Sequence, residues 1–183
     1  MKTLLLMGLW NPGDAYEMTR HNFGGRVVEA WGEGIAGNLV WKKDASGLAE
    51  VSRVMVSDEL AVVLVRSMLF MNDSGKALRA VMDFYKLDAS CVVVAHDDLE
   101  LDFGVVAEQA GGSARGHNGV RSVIDQIGSD FERLRLGIGR PTTQMDVADF
   151  VLQKFTPHEE EQIADKMFSF VSSLQSLLLR VGS

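Results

Sequence analysis

Five side chains in this sequence could together take a proton from water: the imidazole of His21, a carboxylate at Asp97 or Asp98, and the amides of Asn11, Asn72 and Asn118. A neutral imidazole accepts the proton, and a carboxylate fixes its tautomer and stabilises the imidazolium that forms. Amides hold the water and steady a developing oxyanion without introducing charge. Positioned general-base catalysis contributes ~10²–10⁴-fold. That suits an activated acyl bond such as an ester better than a plain amide. These residues are far apart along the chain, so the chemistry exists only if the fold collects them.

Short apolar, β-branched runs read as strands at 3–9, 48–56, 60–66, 91–96, 103–109 and 133–138. LAVVLVR and CVVVAH are apolar on both alternations, as strands covered on both faces are. The runs at 48–56 and 60–66, split by Ser57-Asp58-Glu59, read as a hairpin. Helical spacing follows Asn72 (Leu78, Val81, Met82, Tyr85) and Asn118 (Val120, Val123, Ile124, Ile127). Thr156-Pro157-His158-Glu159 is a capping box with proline at the first helical position. It opens a helix with a long apolar stripe, whose plain role is to pack on the domain. The expected fold is α/β: one domain over 1–183 with a mixed, mostly parallel twisted sheet layered by helices.

In such sheets ligands bind beyond the carboxyl ends of the strands. Asn11 follows the first strand, Phe70-Met71-Asn72 follow the run ending at Arg66, and Asp97-Asp98 follow CVVVAH. GHNG brings His117 and Asn118 to a helix start. Each residue alone has a structural reading: Asn22, Asn72 and Asn118 as helix caps, Asp97-Asp98 as a solvated turn, His21 as a satisfied surface histidine. Their shared placement favours the chemical one for all but Asn22, which stays a helix cap. Neighbouring strand residues point opposite ways, so only one of the two aspartates should face the imidazole.

Composition narrows the function classes. The chain is 46% hydrophobic and 23% charged, with seven net negative charges and pI near 5.1. That excludes indiscriminate binding to nucleic acid or anionic membranes, but not a local basic face. Between 111 and 140 five Arg (115, 121, 133, 135, 140) face three acids, whereas 146–165 carry six carboxylates and one Lys. The lone Cys91 permits no internal disulfide and, in the run CVVVA, reads as a core residue; a reducing compartment is expected. MKTLLLMGLW imitates a signal peptide only faintly, and no stretch approaches the ~20 apolar residues of a membrane span. A cytoplasmic protein is expected. G-x-S-x-G, H-E-x-x-H and C-x-x-C are absent, and MNDSGKA and GIGRPT fail the phosphate-loop and dinucleotide patterns. A metal site from His96, Asp97 and His117 finds no support in ligand spacing.

GLWNPGDAYEMTRHNFG, FMNDSGKAL, VVVAHDDLELDFG and GHNGVRSVIDQIGSDFERLRLGIGRP resemble, in order and spacing, the bacterial-type peptidyl-tRNA hydrolases. The resemblance implies hydrolysis of the ester joining a peptide to the 3′ end of tRNA, without metal or cofactor, by a monomer. It makes His21 the catalytic base, Asp97 its partner, and Asn11 a group that helps reject substrates with a free α-amino group. Asn72 and Asn118 would hold the substrate end and the water. Tyr16, Phe70 and Met71 would line the channel, with His117 nearby, and Arg135 would touch tRNA phosphate. Several positions depart from the family: Trp10 and Gly25 stand where it has Gly and an aromatic, and Ser67 and Leu69 replace the usual Pro and Thr. Ser113-Ala114-Arg115 replace mostly Gly and His, and Ala107 and Gln109 replace lysines. Trp10 either narrows the site entrance or simply packs. Two other functions fit the same residues: an idle RNA-binding homologue, or a small-molecule esterase on the same scaffold.

Overall fold

A computed structural model describes residues 1–183. Its seven strands are β1 (Lys2–Gly8), β2 (Lys42–Lys43), β3 (Ala49–Met55), β4 (Leu60–Ser67), β5 (Val92–Asp98), β6 (Val106–Ala110) and β7 (Glu132–Gly137). They form one sheet in the order β2-β3-β4-β1-β5-β7-β6. The three central pairings are parallel and the three outer ones antiparallel. The sheet is therefore mixed as expected, with parallel pairing confined to its centre, where strands are covered on both faces. The anticipated hairpin is β3–β4.

Alternation along β1 sends Leu4 and Leu6 into one core and Leu5 and Met7 into the other. The first core holds Phe23 and Trp31 of α1 (Phe23–Ala36) and Phe170 and Leu174 of α5 (Pro157–Gly182). The second holds Leu78 and Val81 of α2 (Ser74–Tyr85) and Val120 and Val123 of α3 (Asn118–Ile127). Helix α5 starts as its sequence predicts: Thr156 Oγ1 accepts from the Glu159 N–H at 3.2 Å and Glu159 Oε2 accepts from the Thr156 N–H at 2.6 Å.

Three elements escape the sequence reading: α1, the two-residue β2 and the short α4 (Val147–Val151). FGGRVVEAWGEGIA contains four glycines, each a poor helix former. Packing explains the first of them. A Cβ on Gly24 would fall on the Ala95 carbonyl oxygen of β5. The glycine thus lets the start of α1, and the 3₁₀ turn Arg20–Asn22 before it, sit directly against β5. Tertiary contact overrides propensity there, and it carries His21 to the strand ends. No helix is long and apolar enough to cross a membrane.

Candidate active site

Parallel pairing of β4, β1 and β5 puts the segments that follow them on one sheet edge. His21 and Asp97 meet there: His21 Nδ1 lies 3.0 Å from both Asp97 carboxylate oxygens. The imidazole is 8% exposed and the aspartate 2%. With its hydrogen on Nδ1, His21 presents an unprotonated Nε2 that makes no bond within the protein, and the ring lines two adjoining cavities. Asp98 faces away from His21. Its Oδ2 accepts from Arg135 Nε at 2.7 Å and its Oδ1 from the Glu100 N–H at 2.8 Å. The strand's alternation thereby separates the two acids.

The charges reinforce each other. Burial alone would push the Asp97 carboxyl up, but the adjacent His21 and His117 imidazoles and their hydrogen bonds hold it well below the usual carboxylate range. Burial opposes charge on His21, yet the Asp97 carboxylate and hydrogen bond outweigh it and raise the imidazole above its ordinary 6.5. His96, fully desolvated beside His117, is pushed down to about 3 and is neutral. Its Nδ1 donates to the Asp97 carbonyl at 2.8 Å.

Asn11 is clamped on three sides. Its backbone N–H donates to Asn22 Oδ1 at 2.8 Å, and its carbonyl accepts from Asn22 Nδ2 at 2.9 Å. Its Oδ1 accepts from the Met71 N–H at 2.7 Å. Only Nδ2 remains, a donor without a protein partner. Asn22, read from sequence as a cap, makes no side-chain cap bond; it copies a strand's reciprocal pairing to hold Asn11. Nothing in the local run Arg20-His21-Asn22-Phe23 marks that amide as fully buried; the return of the loop onto Asn11 buries it.

The larger cavity, about 260 Å³, is lined by Asn11, Tyr16, His21, Phe70, Met71, Asn72 and Asn118, with Ala148, Val151 and Leu152 of the α4 segment. Tyr16 and Phe70 stack edge-on with ring centroids 5.9 Å apart, and Phe70 is 58% exposed. Asn72 and Asn118 are exposed and make no protein hydrogen bonds, so neither is the helix cap that its position suggests. The cap of α3 is His117, whose Nδ1 accepts from Gly119 and Val120.

The smaller cavity, about 130 Å³, lies beyond His21 and includes Arg115, Arg133, Arg135, Gln109 and His96. Most of the arginines between 111 and 140 are committed within the fold. Arg133 is 2% exposed and donates to the Gly112 and Ser113 carbonyls, pinning the loop that departs from the family pattern. Arg135 is already paired with Asp98, its side chain 11% exposed. Arg140 pairs with Glu100. Of the five arginines, only Arg115 and Arg121 are exposed without an ion pair.

His21, Asp97 and His117 place nitrogen and oxygen atoms within 4.8 Å of one another, a spacing a metal could use. Both imidazoles, however, direct N–H groups at Asp97. That makes the trio a hydrogen-bonded cluster, with no lone pair turned toward a common centre.

Trp10 does not line the larger cavity. Its ring packs on Gly25, where an added Cβ would lie 2.9 Å from Trp10 Cε3. Arg66 is sandwiched between the Trp10 ring at 4.9 Å and the Trp41 ring at 4.2 Å. The two departures at 10 and 25 are thus one exchange of bulk. Gly25→Phe alone should cost about 1–3 kcal/mol by overpacking. Adding Trp10→Gly should recover more than half of that in urea unfolding, and strictly additive losses would refute the exchange.

A family model described as peptidyl-tRNA hydrolase matches residues 5–182. The peptidyl-tRNA hydrolase of Pelagibacter ubique is 38% identical over 175 residues, which cover 96% of this chain and 92% of that protein. The chloroplastic peptidyl-tRNA hydrolase of Arabidopsis thaliana is 40% identical over 179 residues, 96% of this chain and 60% of that longer protein. The crystal structure of peptidyl-tRNA hydrolase from Acinetobacter baumannii superposes with a TM-score of 0.87 at 32% identity, covering 97% of this chain and 89% of that one.

Proposed function

Because the chain belongs to the peptidyl-tRNA hydrolase family, and so hydrolyses peptidyl-tRNA, we propose that His21 is the general base and Asp97 its partner. The observation that carries this assignment is the buried His21–Asp97 contact at 3.0 Å, which leaves Nε2 free at a cavity wall. Water bound between Nε2 and the exposed amides of Asn72 and Asn118 attacks the ester carbonyl. Its proton passes to Nε2, and the imidazolium, stabilised by Asp97, returns it to the departing ribose oxygen. Tyr16, Phe70 and Met71 supply an apolar, aromatic bed for the peptide and terminal base.

Asn11 gives a physical basis for choosing blocked substrates. With Oδ1 committed to the Met71 N–H, only the Nδ2 donor meets the ligand. A donor pairs with the carbonyl of an N-acyl group and is unpaired opposite an ammonium, which has only donors to offer. The site is assembled from one chain, which supports action as a monomer; a cytoplasmic location fits the same reading. The retained base favours an enzyme over an idle RNA-binding homologue.

The test is hydrolysis of N-acetyl-aminoacyl-tRNA beside unblocked aminoacyl-tRNA and small esters. Turnover should favour the blocked tRNA strongly. Activity on small esters with none on tRNA would instead identify a small-molecule esterase. The base must be neutral, and its pKa is raised by Asp97. The rate should therefore climb with pH through a midpoint above the ordinary 6.5; a midpoint below it would exclude His21 as the base.

Salt dependence reports the basic face. Two unpaired arginines in the 111–140 segment predict a contribution to the log–log slope of about −2, where five free ones would give about −4 to −5. A slope that flattens on Arg115→Ala and Arg121→Ala, but not on Arg135→Ala, is the expected pattern.

A further inference from the structure

We propose that His117 is a positioning residue for this reaction: held in one tautomer by the first turn of α3, it braces the Asp97 carboxylate alongside His21 and thereby sets how strong a base His21 is. The inference rests on the reading of His21 as the base.

The first turn of a helix offers unpaired N–H groups, and Ser, Thr, Asp or Asn usually accepts from them. In α3 the acceptor is imidazole: His117 Nδ1 takes the Gly119 N–H at 3.1 Å and the Val120 N–H at 3.3 Å. A ring nitrogen that accepts two N–H groups cannot carry a hydrogen. The hydrogen is therefore on Nε2, which donates to Asp97 Oδ1 at 2.9 Å. A shorter cap would serve the helix as well and stop short of Asp97. What imidazole adds is a second nitrogen on the far side of the ring.

Asp97 Oδ1 consequently accepts from two imidazoles, while Oδ2 faces His21 alone. Charge given to His117 is withheld from His21, so the brace keeps the imidazolium of His21 from being stabilised too far. A base raised well above the working pH would be occupied by its own proton. The rings of His21 and His117 lie 4.6 Å apart and tilted by 39°, close enough for one carboxylate to serve both.

The other groups around this pair leave His117 as the adjustable one. Arg20, beside His21 on its own turn, is paired with Glu159 of α5. His96 of β5 is neutral and directed at the Asp97 backbone. Asp98 is paired with Arg135 of β7. Helix α4 offers Ala148 and Val151, and the loop after β1 offers the neutral Asn11.

His117→Asn separates the two roles, because Asn caps the helix but cannot span to Asp97. The readouts are the pH profile of kcat/KM on N-acetyl-aminoacyl-tRNA and an NMR titration of the His21 ring in the free full-length protein. Both midpoints should move to higher pH by about 0.5–1 unit, roughly the worth of one hydrogen bond, while thermal unfolding changes little. His117→Ala should show the same shift and also melt at lower temperature. A folded His117→Asn protein whose His21 midpoint stays put or falls would overturn the brace. Should that variant not fold, His117→Ser is read the same way. If the wild type does not cleave the tRNA ester, the functional reading fails, and the NMR titration still decides whether His117 tunes His21.

Discussion

Replacing His21 by Ala is expected to slow release of the acyl group from N-acetyl-aminoacyl-tRNA by at least ~10²-fold, with the loss mainly in kcat. The imidazole is the one group at the cavity wall whose free nitrogen can take a proton near neutral pH. No second base stands ready: His117 has both nitrogens occupied and His96 is buried and directed at backbone. Asp97→Asn should approach the same loss. An amide can turn an N–H toward His21, which would move the hydrogen to Nε2 and point the wrong tautomer at the water. Single-turnover rates on the blocked tRNA decide the matter. A His21→Ala protein that folds and turns over at the wild-type rate would remove the mechanism.

The second large effect is on stability. Arg20 is 4% exposed and unites three elements. Its Nη2 donates to both Glu159 oxygens at 2.8 and 3.1 Å, and its Nη1 to the Lys154 carbonyl at 2.8 Å. Its guanidinium lies 4.3 Å above the Phe150 ring centroid. Arg20→Met keeps the length and loses all of these. Breaking a buried pair costs about 3–5 kcal/mol, and the partial exposure of Glu159 puts the expectation near the low end, about 3 kcal/mol in urea unfolding. Burial would raise the Glu159 carboxyl, but the Thr156 backbone and side chain and then Arg20 lower it below its ordinary 4.5. The folded pKa is depressed, so this stabilisation is present above pH 4.5 and fades as pH falls through the folded value. Arg20→Met should flatten that part of the stability profile. A double-mutant cycle with Glu159→Gln that shows no coupling would refute the link.

The sequence by itself determined a good deal: six of the seven strands, because apolar and β-branched runs have few other uses; α5, because its capping box and stripe agree; and which loops share one sheet edge, because segments just beyond parallel strands converge wherever the sheet places them. It could not supply α1. Four glycines hide that helix, and one of them is explained only by a carbonyl on another strand. Nor could it show that Trp10 and Gly25 exchange bulk, since the contact is defined by packing of α1 on β1. The contacts within the candidate site were likewise tertiary. Which aspartate meets His21 depends on the phase of β5, and Asn22 clamps Asn11 through the return of a loop. Arg135 spends its charge on Asp98, whose partner strand lies more than thirty residues away by number. His117 caps a helix and reaches an acid at once because its ring has two nitrogens and two neighbours. A local pattern specifies an element through its own backbone. A side chain's proton, charge and tautomer are set by whatever stands within about 3 Å of it, and distant parts of the chain arrive there only when the sheet is complete.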